Sequence, residues 1–179
     1  MKQAKPRLTF VPAKLGRQRG ASLLEGIAYL GIAALVVLGA VSLLTNAFGS
    51  AKGNQTTEEV VALRTAARKL YTGQVYPAAM VPNLITANAI PNTLVKKNNA
   101  LSNSWAGAVT VVGDGAGTFT ITYANVPQDV CMSVVSGANG WNSVGNGTKS
   151  VSTLPTTTSD AADLCTATGN ANTLVFTAT

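Results

Sequence analysis

The chain has 179 residues, of which 46% are hydrophobic and 11% charged, with two cysteines and no histidine. That length suits one folded domain with appendages, and the missing histidine excludes Ser–His triads, His acid–base catalysis and His metal sites. A net charge of +6 would point to a nucleic-acid or membrane partner, but Lys2, Lys5, Arg7, Lys14, Arg17 and Arg19 all precede Gly20 with no acid among them. Beyond Gly20 seven basic residues face seven acidic ones, so direct nucleic-acid binding is not expected.

Residues 1–20 also contain Pro6, Pro12 and Gly16 and read as a short cytoplasmic leader. From Ala21 to Phe48 the only charge is Glu25. The apolar run Gly26–Leu44 would cross most of a bilayer core, at about 1.5 Å per helical residue against about 30 Å of hydrocarbon. Its basic flank keeps the N-terminus cytoplasmic and sends the remainder outward. A secretory signal would want an apolar core of about 7–15 residues and a small-x-small cleavage site. A plain single-pass anchor fits the length but leaves Glu25 unexplained. An ionisable side chain in such a segment is costly and reads as functional.

Gly49, Gly53 and Asn54 are weak helix formers; Gly49 and Gly53 are either tolerated in the helix or form a compliant joint. Thr56 and Glu59 have capping-box spacing, which could equally lie inside one continuous helix. Val60, Leu63, Ala66, Ala67, Leu70 and Tyr71 then share one face, with Arg64, Arg68 and Lys69 off it. Gly73 after a basic last turn ends the helix. The expectation is a long helix over about 21–72, apolar all round in residues 21–48 and amphipathic in residues 49–72.

Residues 73–105, with Pro77, Pro82, Pro91 and many asparagines, read as a connecting segment. A-V-T-V-V (108–112) and T-F-T-I-T-Y (118–123) flank G-D-G-A-G, which signals a hairpin. That glycine-rich run is a turn and not a phosphate loop, because no helix opening with Lys-Ser/Thr follows it. V-P-Q-D-V-C-M-S-V-V (126–135) has helical spacing and a proline suited to a first turn. Residues 136–160 read as loop, and T-L-V-F-T-A (173–178) as a last strand. Cys131 and Cys165 are too few for a thiolate metal site. In an exported protein such a pair usually means one disulfide, the alternative being a reactive thiol pair. Asn54-Gln55-Thr56 and Asn146-Gly147-Thr148 match a glycosylation triplet, but such triplets are common in Asn/Thr-rich stretches.

A basic leader, Gly20, and A-S-L-L-E opening a long apolar helix resemble the processing site of type IV prepilins. A-R-K-L-Y-x-G-Q-V-Y-P, N-S-W-A-G-A-V-T-V, I-T-Y-A-N-V-P and the two cysteines further resemble class IVb pilins, nearest the thin-pilus pilins of conjugative plasmids and related islands. The resemblance implies an α+β type IV pilin fold, a long N-terminal helix whose second half packs on a small antiparallel sheet in a globular head (73–179) with a disulfide-bounded region 131–165. It implies cleavage between Gly20 and Ala21 by a prepilin peptidase, N-methylation of Ala21, and an assembly role for Glu25. The family's first mature residue is usually bulky and apolar; here it is Ala21. The implied partners are other pilin subunits, the inner membrane before assembly and the pilus assembly machinery, with no cofactor and no metal. The implied location is the bacterial inner membrane as prepilin, then an extracellular filament used for conjugative mating or adhesion. A minor pilin or a secretion-system pseudopilin would share the N-terminal features. A tethered enzyme is disfavoured by the lack of histidine and of clustered carboxylates after Glu25.

Overall fold

The computed structural model describes residues 22–179. The expected leader 1–20, with Gly20 and Ala21, lies outside the described residues. The chain divides into two units, Met1–Ser42 and Leu43–Thr179, the second being the head.

A 48-residue helix, α1 (Leu23–Leu70), contributes to both units. It runs through Gly49, Gly53 and the Thr56–Glu59 pair, so the capping-box alternative gives way to one continuous helix. Inside it Thr56 donates its hydroxyl back to the Lys52 carbonyl at 2.9 Å instead of capping a new start. In the head, Val60, Leu63, Ala67 and Tyr71 bury the stripe that their spacing predicts.

The head is built on a seven-stranded antiparallel sheet. Its strands are β1 (Val95–Lys97), β2 (Ala100–Ser102), β3 (Ala108–Gly113), β4 (Phe119–Val126), β5 (Ser143–Gly145), β6 (Ser150–Val151) and β7 (Asn172–Ala178). They lie in the order β1-β2-β3-β4-β7-β5-β6. The central strand β7 alternates strictly: Asn172, Leu174, Phe176 and Ala178 point inward while Thr173, Val175 and Thr177 lie on the other face. Phe119, Ile121 and Tyr123 of β4 pair with Ala178, Phe176 and Leu174 of β7, which sets one continuous inner face. Leu63 and Ala67 of α1 bury against the same core.

Three further helices complete the head: α2 (Val81–Thr86), α3 (Gln128–Ser136) and α4 (Thr158–Leu164). Val126 ends β4 and Pro127 caps α3, so the expected helix starts two residues late. The segment 73–105 holds α2 and the β1–β2 hairpin, and 136–160 holds β5, β6 and the start of α4. Both had read as connections. Their elements span two to seven residues, too few for a periodicity to register.

Two interior polar residues close the connections. Asn103 accepts from the amides of Trp105 and Gly107 and donates to the Ala124 carbonyl at 2.7 Å. A Cβ on Gly107 would stand 1.9 Å from that carbonyl, so only glycine fits N-S-W-A-G. Asn172 likewise ties Ala167 to Val126 across the lower end of the sheet.

Gly49 and Gly53 have a packing role within the head. A Cβ on Gly49 would meet the Asp129 carboxylate at 2.4 Å, and one on Gly53 would meet the Ser133 hydroxyl at 3.0 Å. The four-residue spacing puts both on the line along which α3 approaches α1. Gly53→Leu should therefore push α3 away and destabilise the head by about 1–3 kcal/mol, the range for overpacking. A thermal melt of the variant beside the unaltered chain measures it.

Candidate functional site

The first half of α1 is apolar and bare. Its most apolar 18-residue window has mean hydropathy 2.5, and none of it is buried by the described residues. Leu24 is 79% exposed, Leu30 72% and Leu38 67%. A continuous apolar surface of this length marks contact with lipid or protein, since soluble proteins keep exposed apolar patches to a few hundred Å². Among the described residues no contact requires glycine at 26, 31 or 39.

Glu25 stands in the first turn of α1 and is exposed. The structure thus places Glu25 at the entrance of the apolar surface, while Gly20 and Ala21 precede the described residues.

In the head, Cys131 of α3 and Cys165 at the end of α4 are bonded to each other, with Cα atoms 5.9 Å apart. Both are fully buried. Gln128 Nε2 donates to the Cys165 carbonyl at 3.0 Å, and Thr156 donates to the Val135 carbonyl at 2.9 Å. Together these fix α4 antiparallel along α3. At the start of α4, Thr157 and Asp160 form a reciprocal capping box. The T-x-x-D pattern was the sequence signal for this helix.

Asn146 does not present an acceptor amide. Its Oδ1 takes bonds from Thr148 and Lys149, and its Nδ2 donates to the Leu164 carbonyl at 3.2 Å. Asn54 lies within α1. Neither triplet offers the free loop that glycosylation needs.

A buried carboxylate was missed. Glu59 is only 4% exposed. It accepts from Gln55 Nε2 at 2.8 Å, while the Tyr123 hydroxyl lies 3.5 Å from its other oxygen. Lys52 Nζ donates to Gln55 Oε1 at 3.1 Å, so the Gln55 amide stands between cation and carboxylate and links them in one chain. Desolvation, the Glu59 charge and the bond to Glu59 together raise the Tyr123 pKa well above its ordinary value. The signal was available: Glu59 lies four residues before Leu63, on the apolar stripe itself.

Arg64 closes the other side. Its guanidinium lies 4.6 Å from the centre of the Trp141 ring and donates to the Gly140 carbonyl. Arg68 Nε donates to the carbonyl of Thr179. Two side chains counted as the helix's polar face thus fasten the last strand and the loop before β5.

The head agrees with one family throughout. The model of a family described as PilS N terminal matches residues 50–179. The chain belongs to the PilS family. Its structure is similar to that of a type IVb pilin from Salmonella typhi, with a TM-score of 0.53 and 29% identity over 68% of this chain and 94% of that one. It shares the fold of TcpA, a type IV pilin from Vibrio cholerae El Tor biotype, with a TM-score of 0.51 and 13% identity over 72% of this chain and 99% of that one. No curated protein matches the sequence. This PilS-family chain is therefore a type IVb pilin subunit with the α+β pilin fold, and as a pilin it assembles into pilus filaments.

In this pilin the disulfide closes a loop of 34-residue separation. In the chain-entropy account such closure stabilises by about 3–4 kcal/mol. Replacing both Cys131 and Cys165 by Ser should lower the stability of the head by that order and leave the apolar half of α1 unaffected. Denaturant midpoints of the two proteins test the first part, and membrane fractionation the second.

Proposed function

We propose that the chain is the major subunit of a type IVb pilus that serves conjugative mating or surface adhesion, and that it is not an enzyme. The observation that supports this is the bare apolar half of α1, which needs lipid around it before assembly and copies of itself afterwards. A prepilin peptidase removes residues 1–20 by cutting after Gly20, and Ala21 becomes the methylated N-terminus. The assembly machinery then draws the subunit from the inner membrane into an extracellular filament. A minor pilin would differ in abundance, because the major subunit dominates sheared surface filaments.

Glu25 is the assembly carboxylate. In the membrane it lies near the interface, where a charge costs less than the about 2.5–3.5 kcal/mol assigned to acidic residues at a helix centre. In a filament core it loses interfacial water, and an unpaired buried charge is strongly unfavourable. Cleavage after Gly20 supplies the counter-charge, the amine of Ala21. That amine lies four residues before Glu25 in sequence, and the amine of a neighbouring subunit meets the carboxylate directly. The pairing then sets the axial register of an incoming subunit.

Intact mass of the chain recovered from sheared filaments should correspond to a protein starting at Ala21; retention of residues 1–20 overturns the processing reading. Glu25→Ala should insert in the membrane and be cleaved at nearly normal levels, yet give few or no filaments. Glu25→Gln should fail as well, since it keeps the shape and loses the charge. Filaments of ordinary number and length from Glu25→Ala cells would exclude the pairing.

A further inference from the structure

The head carries seven basic and six acidic residues, which are not evenly spread. Asp129, in the first turn of α3, lies beside Gly49. The Gln128–Cys165 hydrogen bond and the Cys131–Cys165 bridge bring the last turn of α4, with Asp163, to the same end of the head. At the other end, the last two turns of α1 carry Arg64, Arg68 and Lys69. Residues 49 and 68 are about 28 Å apart along a helix rising roughly 1.5 Å per residue.

Each end also carries charges of the opposite sign, held by local hydrogen bonds. Lys52, at the acidic end, donates to Gln55 and to the Ser104 hydroxyl. Asp114, in the turn beside Tyr76 at the basic end, accepts from the amides of Ala116 and Thr118 and from the Thr118 hydroxyl. Lys149 is exposed in the turn that Asn146 ties to the Leu164 carbonyl, so the end with Asp129 and Asp163 is mixed in charge, while the end with Arg68 and Lys69 is mainly basic.

Neither arrangement helps its own helix. Arg64 and Arg68 are a like-charge pair four residues apart, a spacing that destabilises an isolated helix. Burial and the Arg68 charge together hold the Arg64 guanidinium below its ordinary pKa. Asp163 is exposed in the last turn of α4, where the negative end of the helix repels an anion. Among the described residues no hydrogen bond engages the side chain of Asp163 or of Lys69.

We propose that Asp129 and Asp163 of one copy face Arg68 and Lys69 of another, as the two halves of a head-to-tail contact between copies of this chain. The proposal rests on the pilus reading above. A contact between two different ends is heterologous, and when its rotation does not close it propagates as an open filament. Charge screening over about 8 Å in physiological salt makes the attraction act only when the ends are apposed. It therefore selects the polarity of stacking.

Charge exchange in the full-length chain tests this in cells that assemble filaments. Asp163→Lys and Lys69→Glu should each cut the yield of sheared filaments at least tenfold, with the disulfide formed and the head still resistant to protease. The two together should restore the yield to within about threefold of the unaltered chain. A purely local role predicts otherwise for Asp163→Lys, because a cation suits that helix end. The proposal is overturned if either single reversal assembles at the unaltered level, or if the pair recovers nothing over the singles. Normal filaments from the single variants would leave the pilus reading standing and remove only this contact. An unaltered chain that yields no filaments would remove both.

Discussion

One helix has to satisfy two surroundings, and the rest of the molecule follows from how its apolar surface is covered. Near residue 60 the apolar side chains occupy one stripe, and the sheet covers it: Val60, Leu63 and Ala67 are at most 2% exposed. Near residue 35 they surround the helix, and none of the described residues covers them. A helix apolar on every side is stable only where every side is apolar. Burial is worth about 25 cal/mol per Å², so the uncovered half holds a large driving force that only an external partner can realise. The same helix that anchors the head thus leaves the chain incomplete as a monomer.

Within the head, that cover has to be placed in one register. The apolar stripe alone is permissive, since a slide by one helical turn would still bury alanine, valine and leucine. Glu59 is less permissive. Its partners Gln55 and Lys52 travel with it on the same helix, but Tyr123 belongs to β4. Sliding α1 would leave both a carboxylate oxygen and a tyrosine hydroxyl buried without partners, at about 1–3 kcal/mol for each neutral group and more for the charge. Ser104, which receives Lys52, and the Asn103 turn beside it hold the sheet end of the same network. The close fit of α3 on Gly49 and Gly53 constrains the opposite flank of α1. The helix is therefore gripped on two sides by features that tolerate no sliding.

The parts legible in the sequence are those whose periodicity runs long enough to register. The helix, the β3–β4 hairpin, α3 and β7 each carry several repeats of their own spacing, and each lies where the pattern puts it within a few residues. The elements inside 73–105 and 136–160 are held by particular contacts instead: the capping box of Thr157 and Asp160, the Asn146 turn, and the pairing of β5 with an already formed β7. Such strands acquire their conformation from neighbours distant in sequence, which no local window contains. For the site, Glu25 was visible because a lone charge in an apolar run has no bland explanation. Glu59 was hidden by its surroundings, because a glutamate among Gln55, Thr56, Thr57 and Glu58 looks like ordinary helix surface. Its place four residues before Leu63 is the one hint in the sequence, and the sheet above it shows the burial.

Net charge and charge placement act separately in this chain. Near-neutrality of the head removes the general repulsion that would keep many copies apart. It says nothing of orientation, because a neutral body can still have unlike ends. Here one end takes its acids from α3 and α4, elements brought together by the disulfide, and the other takes its bases from the end of α1. The disulfide therefore has a consequence beyond chain entropy: it holds Asp163, on a helix seven residues long, at a fixed place relative to α1. An apolar surface attracts without direction, since burial is proportional to area and indifferent to polarity. Direction has to come from groups that distinguish one end from the other. In the proposed filament the bare half of α1 would supply the strength of association, and the charged ends of the head, with Glu25 in the core, its order.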